Sequence, residues 1–264
     1  MGWRRRRSTS RDRPDPVCTV SVIAVAGGYR LISNRDEQRS RPAAEFPFRW
    51  GRHGIGPFDP GGGGTWIASR PGLTLCLLNY NLVAKPGAPP RAISRGRIIP
   101  LLIDREGLDE VRSGLEHLEL VRYAPFRLVA AWHGADTRVA EARWEGTRLN
   151  WIEHERLPAV FVSSGLGDAE VADRVPLFEQ MVVGACPSGG GGGGGGMRGM
   201  WVAQDAFHQH RWPERLHQSV LMARPDARTV SVTEVVDTDM GLEMRYCPVS
   251  ESGQIAEPVL HEAR

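Results

Sequence analysis

Four cysteines stand at positions 18, 76, 186 and 247, too widely spaced for a C-x-x-C zinc pair or a disulfide framework. Cys18 differs from the others in its setting. It opens an alternating run, Cys18-Thr19-Val20-Ser21-Val22, and a dense polar cluster, Asn34-Arg35-Asp36-Glu37, closes the next apolar run. A thiol attacks as its thiolate, so it needs a base for its proton or a cation to lower its pKa. Were Cys18 the first residue of a chain, its own α-amine, with a pKa of about 7.7 to 8.0, would be that base. No separate histidine would then be required.

A second chemistry is suggested by His208-Gln209-His210, with His217 nearby, where two imidazoles on one strand face would suit a metal or haem iron. No third ligand is identifiable, so a resident metal is not expected. Ser163-Ser164-Gly165 lacks the G-x-S-x-G elbow of serine hydrolases. Neither Gly61–Gly64 nor the octaglycine Gly189–Gly196 leads into G-K-[ST], so neither reads as a phosphate loop.

The elements that must position Cys18 begin abruptly. Residues 1–16 hold six arginines against two aspartates, a net +4 that leaves −2 for the rest of the +2 chain. Without a periodic apolar pattern they read as a disordered basic tail, and nucleic-acid binding by the body of the protein loses its electrostatic support. Asp12, Pro14, Asp15 and Pro16 separate those arginines from the apolar run, whose period of two is a strand's rather than a signal peptide's. No run of eighteen apolar residues exists, so no membrane span is expected. The cysteine usage fits a reducing cytoplasm.

Cys18 to Val25 and Tyr29 to Ser33 read as a hairpin through Ala26-Gly27-Gly28. Residues 34–64 read as a long surface loop, followed by a second hairpin over Thr65 to Ser69 and Leu73 to Asn79. A helix interrupted by Pro100 is expected around Arg95 to Ile103, then one capped by Asp104 with Leu108, Val111, Leu115 and Leu118 on one face. A meander spans Phe126–Trp132, Val139–Trp144, Leu149–Ile152 and Ala159–Val162. Asp168 caps a further helix with Val171, Val175, Phe178 and Val182 inward, kinked at Pro176. Ser219–Met222, Thr229–Val236 and Leu242–Tyr246 complete the strands. One domain over 17–250 is expected, with a glycine-rich loop at 187–198 and a tail at 251–264. Two strand groups with helices between them suggest an α+β layered fold.

Cys18-Thr19-Val20, Gly27-Gly28-Tyr29-Arg30-Leu31, Asn34-Arg35-Asp36-Glu37, Arg41-Pro42, Asp59-Pro60 and Gly63-Gly64-Thr65-Trp66-Ile67-Ala68 occur in the order that resembles the NRDE family, also called transport and Golgi organisation 2. Weaker matches run on through Leu77-Leu78-Asn79, Ser94-Arg95-Gly96, Phe126-Arg127-Leu128, Ser163-Ser164-Gly165, Phe207-His208-Gln209-His210 and Thr229-Val230-Ser231. Its members look like N-terminal nucleophile hydrolases, which implies a four-layer αββα sandwich of two antiparallel sheets. The resemblance implies Cys18 as nucleophile of a small linear amide, Arg35 lowering its pKa, Asp36 orienting the ammonium, and Asn79 or Asn81 at the oxyanion. Arg35 and Asp36 are adjacent, so in a strand they would face opposite sides. Relatives that handle haem or lipid imply the alternative of a non-enzymatic carrier, with His208 and His210 as haem contacts. Neither reading requires a cofactor. The seventeen residues before Cys18 depart from the family pattern; a start at Val17, read as methionine and trimmed, would expose the cysteine.

Overall fold

The computed structural model describes residues 15–81, 92–185 and 194–263. Along the chain run β1 (Asp15–Val25), β2 (Gly28–Gln38), β3 (Glu45–Trp50), β4 (Gly54–Phe58), β5 (Ile67–Arg70) and β6 (Leu73–Asn79). Helices α1 (Ile98–Leu102) and α2 (Leu108–Glu116) precede β7 (Phe126–His133), β8 (Thr137–Trp144), β9 (Leu149–His154) and β10 (Ala159–Gly165). Then come α3 (Arg174–Phe178), α4 (Gly194–His208), β11 (Ala227–Thr238), β12 (Gly241–Pro248) and β13 (Val259–Ala263).

The strands form two sheets, one in the order β10-β1-β2-β11-β12-β13 and the other running β3 to β9 in sequence. Period-two alternation gives each sheet two chemically distinct faces. Val20, Val22, Tyr29 and Leu31 of the first sheet pack against Ile67, Cys76, Leu78 and Val129 of the second, forming the inner core. On the far side of the second sheet, Leu73, Leu75 and Leu128 meet Ile98, Leu102, Val111 and Leu115 of α1 and α2. On the far side of the first, Ile23 meets Phe178 and Phe207, from α3 and α4. The expected αββα sandwich is present.

The β1–β2 hairpin forms as its sequence predicts, turning at Gly27 with φ of 67°, a value glycine adopts without strain. The supposed loop over 34–64 is instead largely strand. β2 continues to Gln38, and β3 and β4 follow, because each pairs with a neighbour that local sequence does not reveal. The meander ends at β9; β10 crosses to the first sheet and pairs with β1. Asp104 does not cap α2, which starts after Gly107; its carboxylate accepts the backbone N–H groups of Arg52 and His53. The Asp168 carboxylate likewise turns back to the N–H of Ser164. Pro100 lies within the first turn of α1, where its missing N–H has no helical acceptor to lose. Ser219–Met222 is not a named strand, and the tail expected at 251–264 contains β13, paired to β12.

Of the basic tail, residues 1–14 lie outside the described residues, while Asp15 and Pro16 already belong to β1. Of the glycine-rich loop, 187–193 lie outside them, and Gly194 to Gly196 open α4. Among the described residues no helix is long and apolar enough to cross a membrane. Leu31→Ala, which removes a fully buried side chain from the inner core, should cost about 2 to 5 kcal/mol of unfolding free energy, read by urea denaturation.

Candidate functional site around Cys18

Cys18 sits on β1 between two neighbours, its Cα paired with Arg35 of β2 and Ser163 of β10. Its side chain joins the inner core with Val20 and Val22 and is 8% exposed. Burial pushes the thiol up to about 12, and the Asp36 carboxylate adds to the rise. The Asp36 N–H, which bonds the sulfur, and the Arg35 charge oppose it only partly. In the full chain this thiol is therefore protonated at neutral pH and a poor nucleophile.

Adjacent residues of β2 divide between the two faces, as alternation requires. Arg35 shares the inner face with the thiol. Its guanidinium stacks 3.9 Å from the centre of the Trp66 ring and lies 3.2 Å from both Glu37 and Asp59. Asp59 is clamped in turn by Arg41, with Nη2 to Oδ2 at 2.6 Å. Asp36 points the other way and is fully buried. Its Oδ1 accepts the Thr229 hydroxyl at 2.5 Å, its Oδ2 lies 3.9 Å from the Arg174 guanidinium, and Oδ2 has no hydrogen-bond partner. Burial raises the Asp36 carboxyl to about 7 against the pull of Arg174, Thr229 and Arg224.

Arg174 is the residue that sequence reading missed. It is 0% exposed, donates to Thr19 Oγ1 at 2.6 Å and to the carbonyls of Gln218 and Ser219 at 3.0 and 2.5 Å. A signal existed: three residues after Val171, it interrupts the apolar stripe of the expected helix with a charge.

The two asparagines separate. Asn81 Nδ2 donates to the carbonyl of Ser164 at 2.9 Å, next to Ser163 and so beside Cys18. Asn79 is also buried, but alternation places it with Leu73, Leu75 and Leu77 on the α1–α2 face of β6, away from the thiol. Arg127 completes the inner wall, donating to the carbonyl of Val162 at 2.7 Å and contacting Glu141 at 2.5 Å. Burial would raise the Glu141 carboxyl, yet His154, Arg143 and Arg127 beside it bring it down to about 2.

His208 closes α4 instead of lying on a strand. Its Nε2 meets Ser21 Oγ at 2.7 Å and its Nδ1 meets Asn34 Oδ1 at 2.8 Å, so both ring nitrogens are engaged. Burial, with Arg30 and Arg174 nearby, holds it well below the ordinary histidine range, hence neutral. His210, half-buried, stacks edge-on to Trp212. Among the described residues no cluster of three or more metal-ligating side chains occurs. A depression of about 550 Å³ is lined by Gln209, Arg211, Leu221 and residues 252–255, and does not touch Cys18.

Two antiparallel sheets packed face to face, covered by helices on both outer sides and carrying a cysteine near the start of β1, define an αββα sandwich protein. The model of the Transport and Golgi organisation 2 family matches residues 20–156, more than half of the chain, and the chain belongs to that family. No curated protein matches it. Among solved structures it is similar to Anbu from Hyphomicrobium sp. strain MC1, at 11% identity and a TM-score of 0.40, covering 93% of this chain and 88% of that one. Anbu (ancestral beta-subunit) from Yersinia bercovieri is similar at 11% identity and a TM-score of 0.36, covering 92% and 85%.

The Asp36 carboxyl makes a signed prediction. Its folded pKa, about 7, lies above the ordinary 3.8, so between these values the folded chain holds a proton that the unfolded chain releases. Its contribution is most favourable below pH 4, is lost as pH rises toward 7, and is flat above. Asp36→Asn should therefore flatten the fall in stability between pH 4 and 7, measured as the melting temperature against pH.

Proposed function

We propose that the chain is a latent cysteine hydrolase of small linear amides, with Cys18 as its N-terminal nucleophile once residues 1–17 are removed. The observation that carries this reading is the position of Cys18 between β2 and β10, bonded by the Asp36 N–H and flanked by Arg35, Asp36 and Asn81. Cys18–Arg35 is the last pair of the β1–β2 register, so Asp36 is the next residue of β2 beyond the one opposite Cys18. A freed α-ammonium would thus arise next to Asp36 Oδ2, the carboxylate oxygen that has no hydrogen-bond partner.

In the proposed reaction the Cys18 α-amine takes the thiol proton and the sulfur attacks the amide carbonyl. The second N–H of the Asn81 amide and a backbone N–H would meet the oxyanion. Asn81 fits this role better than Asn79, which lies on the other face. The ammonium then protonates the departing amine, leaving a thioester. A water molecule that gives its proton to the α-amine attacks the thioester, releasing the acid and restoring the thiol. Arg35 supplies a fixed positive charge on the thiolate's face. Asp36 positions the amine. A reducing cytoplasm would suit a protein whose function depends on a free thiol.

Removal of residues 1–17 would supply the nearby base that the thiol lacks in the full chain, its own α-amine. A chain beginning at Cys18 should react with iodoacetamide at pH 7.5 at least tenfold faster at this residue than the full chain, read by peptide mass mapping. It should also release amine from an N-acyl amide panel, and Cys18→Ala should abolish that release. Equal alkylation rates with no turnover would sink the proposal. A haem titration separates the carrier alternative: a Soret shift lost in His210→Ala, without amide turnover, would replace the hydrolase.

A further inference from the structure

Ser163 stands opposite Cys18 in the pairing of β10 with β1, and its hydroxyl has nothing to bond. The two Cα atoms are partners, and Phe161, two residues earlier on β10, packs in the inner core. Alternation therefore points the Ser163 side chain to the same face as the thiol. Residues opposite each other in an antiparallel pair have Cβ atoms about 4.5 to 5.5 Å apart. Ser163 is 0% exposed, and its Oγ is buried without a hydrogen-bond partner, the Cys18 sulfur included.

Neighbouring hydroxyls of β1, β2 and β10 are met. Thr19 Oγ1 accepts from Arg174 at 2.6 Å, Ser21 Oγ meets His208 Nε2 at 2.7 Å, Ser33 Oγ accepts the Cys76 S–H at 3.5 Å, and Ser164 Oγ accepts the Leu166 N–H at 3.1 Å. Ser231 and Thr233 also lack hydrogen-bond partners, but they belong to β11, which β2 separates from β1. A buried hydroxyl left unmet costs stability, so one that stands beside a nucleophile points to a partner that arrives with the substrate.

The register fixes the order Ser163, Cys18, Arg35 across the first sheet. On the β2 side of the sulfur, Arg35 is engaged by Glu37, Asp59 and the Trp66 ring. On the β10 side, the Asn81 amide donates to the carbonyl of Ser164 at 2.9 Å, which brings it next to Ser163. A hydroxyl there with no bond to the sulfur keeps its proton for an atom carried over the sulfur. Resting on the hydrolase reading above, we infer that Ser163 is a further catalytic residue, a side-chain donor to the oxyanion of the tetrahedral intermediate. As the sulfur bonds to the carbonyl carbon, the C=O π pair moves onto oxygen and accepts the Ser163 O–H. When that pair returns and the C–N bond breaks, the departing nitrogen takes the proton of the ammonium. Ser163 keeps its own proton throughout.

The chain beginning at residue 18 keeps the β1 pairings from Cys18 to Val22 with β10 and from Cys18 to Val25 with β2. Acylation of its thiol passes through an oxyanion and alkylation does not, so the two rates separate this role from an effect on the thiol or on the fold. In that chain Ser163→Ala should slow acetylation of Cys18 by p-nitrophenyl acetate about a hundredfold, read by peptide mass mapping, and leave its alkylation by iodoacetamide within about twofold. Ser163→Thr, which keeps a hydroxyl, should retain most of the acetylation rate, with melting temperatures showing that both variants fold. An equal fall in both rates, no fall in either, or a parent chain that gains no acetyl group at Cys18 would overturn the inference. Acetylation that depends on Ser163 as expected, in a chain that releases no amine from N-acyl amides, would defeat the amide hydrolase reading alone.

Discussion

The structure depends on satisfying, without water, the polar side chains that the first sheet turns toward α3 and α4. Thr19, Ser21, Arg30, Asn34 and Asp36 all point to that side and all are buried. Four of them find hydrogen-bond partners on the covering helices, Thr19 from Arg174, Ser21 from His208 and Gln204, Asn34 from His208, and Arg30 from Gln204 and Asp205, while Asp36 accepts from Thr229 of β11. Glu234 of β11 takes the remaining side of Arg30 at 2.6 Å. Apolar packing lets a helix slide; a row of buried hydrogen bonds does not, because each misplaced group forfeits its full desolvation cost. This seam sets where α3 and α4 lie on the sheet, and through β2 it fixes what stands opposite Cys18.

The same alternation divides Asn34-Arg35-Asp36-Glu37 between two environments. Asn34 and Asp36 belong to the seam, while Arg35 and Glu37 join Asp59, Arg41 and Trp66 on the inner face. Four consecutive polar residues are thus not one site. They are two rows of contacts on opposite faces of a strand, and the thiol of Cys18 is coupled to both, to Arg35 through the inner face and to Asp36 through a backbone bond. The silence of the thiol follows from solvation. Its neighbours include cations, yet burial outweighs them.

His208 illustrates how an apparent ligand can be a structural element. A histidine near a second histidine suggests a metal or haem contact by spacing alone. Here the ring is neutral and buried, bridging Ser21 of β1 to Asn34 of β2, so it ties the hairpin that holds Cys18 to the end of α4.

By itself the sequence determined the opening hairpin, the paired β7–β8–β9 meander and the apolar stripes of α2 and α3. These follow from local periodicity and turn chemistry, which a single segment carries in full, whereas Cys18 with Arg35 and Asp36 as neighbours was implied by the family resemblance. Only the tertiary structure decided that β2 runs on through the polar cluster, that β10 leaves the meander for β1, and that residues 259–263 add a strand. Those outcomes rest on partners far away in sequence. It also decided that Arg174 comes to Asp36 from a segment well over a hundred residues distant, and that Asn79 and Asn81 part company. A side chain's charge is written in its own residue, but its burial and partners belong to the fold, and it is burial that turns an ordinary carboxyl, thiol or guanidinium into a group with chemistry of its own.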